Sequence, residues 1–65
     1  MRNDALTPAL QTLLARVPGG ITIPELQIRL YREFTLQVSY KEIENSFFRH
    51  PDLFSEEDGR WRLRI

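Results

Sequence analysis

The stretch "SEEDGRWRLRI", residues 55–65, decides what kind of fold this chain closes. Asp58-Gly59 signals a two-residue hairpin turn, because both residue types tolerate the positive φ that a primed turn demands. The six residues after it alternate strictly, which is the period of a strand with one buried face. Trp61, Leu63 and Ile65 share the inward side with Phe54 of the preceding "DLF" segment, while Arg60, Arg62 and Arg64 share the outward side. The spacing therefore predicts a C-terminal β-hairpin joined by an acidic turn made of Glu56, Glu57 and Asp58.

Immediately upstream, "VSYKEIENSFFRHP" (38–51) has helical spacing. Ser39 and Glu42 stand in the Ser/Thr-x-x-Glu relation of a capping box, with Val38 and Ile43 placed as the flanking hydrophobic staple. Tyr40, Ile43 and Phe47 share a face, Phe48 lies beside it, and Pro51 ends the helix near Arg49. One segment earlier, "ITIPELQIRLYREF" (21–34) repeats the pattern, with Thr22 and Glu25 as the box, Ile21 and Leu26 as the staple and Pro24 tolerated in the first turn. Its stripe of Leu26, Leu30 and Phe34 faces the core, with Ile28 and Tyr31 at the edge, and "GIT" ahead of it is expected to add a very short strand. The first helix, in "LTPALQTLLARVPGG" (6–20), carries Leu6, Leu10, Leu13, Leu14 and Val17. Thr7 is its expected N-cap, Pro8 its first helical residue, and Pro18-Gly19-Gly20 its stop.

Helix, short strand, helix, helix, hairpin is the element order of a winged helix-turn-helix. The predicted fold class is thus a small α+β domain of three helices with a C-terminal hairpin wing, one domain over residues 1–65 and ordered from about residue 7 to 65. A chain of 65 residues buries only about 60% of its unfolded surface and depends on packing and caps for stability. The chain resembles the winged-helix superfamily from Thr7 to Ile65. The stretch "GGITIPELQIRLYREF" followed by "HPDLF" is similar to LOTUS (OST-HTH) domains, which as a family bind RNA or protein partners. A hydrophobic helix, then Phe, then Gly-x-Trp-x-Leu also resembles HARE-type winged helices and the delta-subunit type found with bacterial RNA polymerase. The resemblance implies a binding module and leaves the subfamily open.

Composition narrows the chemistry. No cysteine and a single histidine exclude a disulfide framework and a zinc cluster. Nine basic residues against nine acidic ones cancel, so no global field draws the molecule to a polyanion and any nucleic-acid contact must be local. No phosphate-cradling glycine loop is present, and Ser39, Ser46 and Ser55 share one histidine, His50, which is better placed to interact with a helix C-terminus. The expectation is a non-enzymatic, monomeric module without cofactor, metal or small-molecule substrate, for which a core this small has no pocket. "MRNDALTPAL" has no apolar run of signal-peptide length and nothing approaches a membrane span, so the expected location is intracellular, cytoplasmic or nucleoid/nuclear. A chain this short is also commonly one domain of a larger protein.

Three sets of residues are candidates for binding. Lys41, Asn45 and Arg49 recur at i, i+4 and i+8 on the third helix; they either read base edges by bidentate hydrogen bonds or form a solvated face offset by Glu42 and Glu44. Arg60, Arg62 and Arg64, spaced about 6.8 Å apart along a strand, either follow a phosphate backbone or give the hairpin a soluble edge. Glu56, Glu57 and Asp58 lie within a Debye length of them, about 8 Å at physiological salt, so a nucleic acid would meet these arginines from the strand and not from the turn. Arg29 and Arg32 flank Tyr31 on the second helix, as a stacking platform for a base or partner side chain, or as ordinary surface residues. Nucleic acid, duplex DNA or RNA, is the first expected partner; a protein partner is the alternative.

Overall fold

The computed structural model describes residues 5–64. Three helices, α1 (Leu6–Ala15), α2 (Ile23–Phe34) and α3 (Tyr40–Arg49), precede an antiparallel hairpin of β1 (Phe54–Glu57) and β2 (Arg60–Leu63). This is the expected small α+β fold in a winged-helix arrangement. Glu57 pairs with Arg60 in the ladder, which leaves only Asp58 and Gly59 in the turn, at φ 56° and 79°. Those values suit a primed turn, whose twist matches that of the flanking strands. The acidic turn expected from the sequence is therefore smaller: Glu56 and Glu57 belong to β1, where each faces a β2 residue. Ile65, expected to join the inward set, lies outside the described residues.

The short strand expected at "GIT" is a single antiparallel bridge between Ile21 and Trp61, with N–H to carbonyl distances of 2.9 and 2.8 Å. It fastens the α1–α2 connection to the free side of β2. The approach is close enough to require glycine: a Cβ on Gly20, which sits at φ 99°, would come within 2.9 Å of the Arg60 Cβ.

The helix starts differ from one another. In α3, Ser39 Oγ accepts from the Glu42 N–H at 3.2 Å and the Glu42 carboxylate accepts from the Ser39 N–H at 2.8 Å, so the expected capping box is complete. In α2, Thr22 is the N-cap but makes no side-chain cap bond. Pro24 removes one of the two N–H groups a cap can reach, and the Glu25 carboxylate turns to Arg29 at 3.3 Å instead of closing the box. In α1 the helix begins at Leu6 with Ala5 as N-cap, which moves Thr7 and Pro8 inside the first turn. The expected Thr7 cap fails because its hydroxyl is buried and shares a hydrogen bond of 2.9 Å with the buried Ser46 hydroxyl of α3. Burial of both hydroxyls makes that pairing costly to forgo. Between α2 and α3, Thr35 adopts the left-handed conformation at φ 55° while the Leu36 N–H reaches back to the Leu30 carbonyl at 3.1 Å. The Thr35 N–H bonds the Tyr31 carbonyl at 3.1 Å, the five-to-one bond of an αL helix end, with threonine where glycine is usual.

Leu10, Leu13 and Leu14 of α1, Leu26 and Leu30 of α2, Ile43 and Phe47 of α3, and Phe54 of β1 are the fully buried side chains. Ile21 and Ile23 join them; Ile23 falls on the same helical line as Leu26 and Leu30. Trp61 and Leu63, expected at full burial, are half-buried and pack on the edge of this core. Phe47 links the layers, meeting Phe54 edge-on at 4.9 Å and lying parallel to Trp61 at 4.3 Å. Four residues expected at or beside a core face are instead open to solvent: Ile28, Tyr31, Tyr40 and Phe48 are 51, 59, 49 and 62% exposed. Leu36 and Val38 of the connecting segment are half-buried and pack against the core.

Candidate nucleic-acid interface

The buried side of α3 is Ile43, Ser46 and Phe47. At about 100° per residue, Lys41, Asn45 and Arg49 fall on the opposite arc, and all three are exposed. The capping box holds the Glu42 carboxylate at the helix start, away from this line. Glu44 is half-buried and lies on the Tyr40–Phe48 side of the helix. Among the described residues, Lys41, Asn45 and Arg49 make no hydrogen bond or ion pair through their side chains. They form a continuous donor-bearing row.

The arginines of the hairpin are exposed as well, but two of them are engaged. Arg62 pairs with Glu57 across the ladder at 2.5 Å, and Arg64, one residue beyond β2, donates to the Pro51 carbonyl at 3.0 Å while its N–H bonds the Leu53 carbonyl at 2.8 Å. Arg60 has no partner among the described residues. Arg60 and Arg62 line one shallow cleft of about 360 Å³ together with Glu57, Asp58 and Gly19, so the cations stand among carboxylates. Orientation separates the two rows further. Trp61 and Leu63 rest on the core, with Trp61 against Phe47 of α3, so the alternate residues Arg60 and Arg62 point away from α3. The six residues expected to act on one ligand therefore lie on two surfaces.

On α2 the expected trio does not assemble. Arg29 and Tyr31 are about 160° apart around the helix axis; Arg29 pairs with Glu25, whereas Tyr31 borders a cleft of about 330 Å³ with Gln27, Gln37 and Val38. Arg32 is exposed and, among the described residues, unpaired. His50 caps α3, and its carbonyl accepts from both Leu53 and Phe54 N–H at 3.0 and 3.2 Å, which starts the hairpin.

One surface residue was not singled out by sequence reasoning. Phe48 is 62% exposed and meets Trp61 edge-on at 5.9 Å, beside the Lys41–Asn45–Arg49 row. The signal was present in the Phe47-Phe48 pair: adjacent helical positions are about 100° apart, so only one of the two rings reaches the centre of the core.

Among the described residues, no group of three or more His, Asp or Glu side chains is placed to hold a metal ion, and no helix is long and apolar enough to cross a membrane. Compared with protein-family models, curated proteins and solved structures, the chain has no significant match.

Proposed function

We propose that this chain is a non-enzymatic, monomeric nucleic-acid-binding module that presents α3 to its ligand. The observation that carries the reading is the free row of Lys41, Asn45 and Arg49. Ion pairs hold Arg16 to Glu33, Arg29 to Glu25 and Arg62 to Glu57, and, among the described residues, the unpaired Arg32 and Arg60 sit on α2 and β2, whereas on α3 two unpaired cations, Lys41 and Arg49, share one exposed line with Asn45. In this reading Lys41 and Arg49 contact phosphates or base edges, and Asn45 reads a base by paired hydrogen bonds. The β2 arginines serve mainly as a charged edge that discourages strand-to-strand association.

Fluorescence anisotropy with labelled DNA and RNA pools tests the proposal at about 50 mM salt, where phosphate contacts are least screened. The double variant Lys41→Ala, Arg49→Ala should abolish most binding and flatten the salt dependence, since two phosphate contacts contribute a slope of about −1.4 on a single strand or −1.8 on a duplex. Arg60→Ala with Arg64→Ala should leave affinity within about threefold of wild type, as expected when counterion release is confined to α3. Absence of binding by the wild-type chain ends the reading. A second reading, a protein-interaction adaptor, is favoured by the exposure of Ile28 and Tyr31 on the outer side of α2 and is the one that such a result would leave.

A further inference from the structure

Phe48 stands where a helix entering a duplex groove would carry a polar side chain. Its ring does not hang free. Trp61 supports it edge-on with the planes at 69°, and Trp61 is itself stacked on buried Phe47 at 16° and tied through its backbone to Ile21. The result is a column of three rings running from the core to the surface, with the outermost one 62% open. Tyr40, two turns earlier and 49% exposed, lies on the same side of the helix with Glu44 between them.

We infer that Phe48 is a stacking platform for an unpaired base, so that the ligand of α3 is a single-stranded nucleic acid. The inference rests on the nucleic-acid reading above and narrows it. In a duplex the π-faces of the bases are hidden in their own stack, and a ring in the groove meets only base edges and thymine methyl groups. A single strand offers those faces, and any base can stack on an aromatic side chain. The charges around Phe48 set the orientation. Lys41 and Arg49 attract phosphates on one side and Glu44 repels them on the other, which lays the backbone along the Lys41–Arg49 row and the bases over Phe48 and Tyr40. Charge complementarity thus favours a polyanion with exposed rings over an apolar protein surface.

The experiment compares short labelled single strands of DNA and RNA with a duplex of the same DNA sequence, by anisotropy at about 50 mM salt. Single strands should bind more tightly than the duplex. Phe48→Ala should weaken single-strand binding about 5- to 150-fold, the range expected for loss of one stacked base, and change duplex affinity by less than about twofold. Phe48→Tyr should restore single-strand binding, and Phe48→Leu, which keeps apolar bulk and loses the ring, should not; this pair keeps the test valid if the alanine variant melts early. Single-strand affinity that survives Phe48→Ala and Phe48→Leu, or a duplex preferred by the wild type, overturns the stacking inference while the nucleic-acid reading stands. No binding to any of the three ligands overturns both and turns attention to a protein partner.

Discussion

Two rows of three polar side chains cross the surface, Lys41–Asn45–Arg49 on α3 and Arg60–Arg62–Arg64 along β2, and they differ in what their charges already touch. On β2 the antiparallel register sets Glu57 opposite Arg60 and two residues from Arg62, with which it pairs, so β1 supplies counter-charge to the strand. On α3 the Glu42 carboxylate is held by the Ser39 backbone and Glu44 forms no ion pair with Lys41 or Arg49, so the row stays free. By residue count the strand row is the more basic. By availability the helix row is, and only available charge releases counterions from a nucleic acid.

The two rows are joined through Trp61, whose inward side stacks on Phe47 of α3 while its neighbours carry the arginines outward. Trp61→Ala should have the largest effect on this arrangement, a loss of about 3 kcal/mol from truncating a large aromatic at the edge of the core. In a domain of this size that leaves much of the population unfolded at physiological temperature. Urea denaturation followed by circular dichroism measures it; a midpoint matching wild type would mean that the hairpin and α3 are held together by other contacts.

A smaller effect is expected at the caps, and it separates the two helices that present the same pattern. Ser39→Ala removes a bond that exists and should cost about 1 kcal/mol, while the Glu42 carboxylate keeps its bond to the backbone N–H of residue 39. Thr22→Ala removes a side chain that makes no cap bond and should cost a few tenths of that. Equal losses in thermal melts would show that the α2 box closes in solution, and would remove the contrast between a fully capped and a partly capped helix.

Much of the architecture was legible because local signals agreed with one another. Ser39, Glu42 and Pro51 bracket α3, and Asp58-Gly59 sets the turn of the hairpin. What was not legible depended on partners distant in the chain. Thr7 reads as a cap until its hydroxyl is seen against Ser46, 39 residues on. Glu25 reads as half of a box until Arg29 takes it. Periodicity placed Tyr40 on the core face and Tyr31 at its edge because it counts apolar residues without knowing that Leu36 and Val38 arrive from the connecting segment. The candidate site was legible as residue types. Its division into a free row and an engaged one was not, because strand register and capping geometry decide which carboxylates reach which cations.

The smallest predicted effect bears most directly on that division. Glu57→Gln leaves Arg62 without its ion pair, and because the pair is exposed the stability change should be under about 1 kcal/mol. The β2 row then approaches the α3 row in free charge while keeping its direction, which is away from α3. If orientation governs, short single strands should bind the variant within about twofold of wild type, with the salt slope still near −1.4. A slope steeper by about 0.7, one further phosphate contact, would show that a strand held on α3 also reaches the arginines around the hairpin. Charge pairing alone, and not the two-sided geometry of the hairpin, would then be what keeps the rows apart.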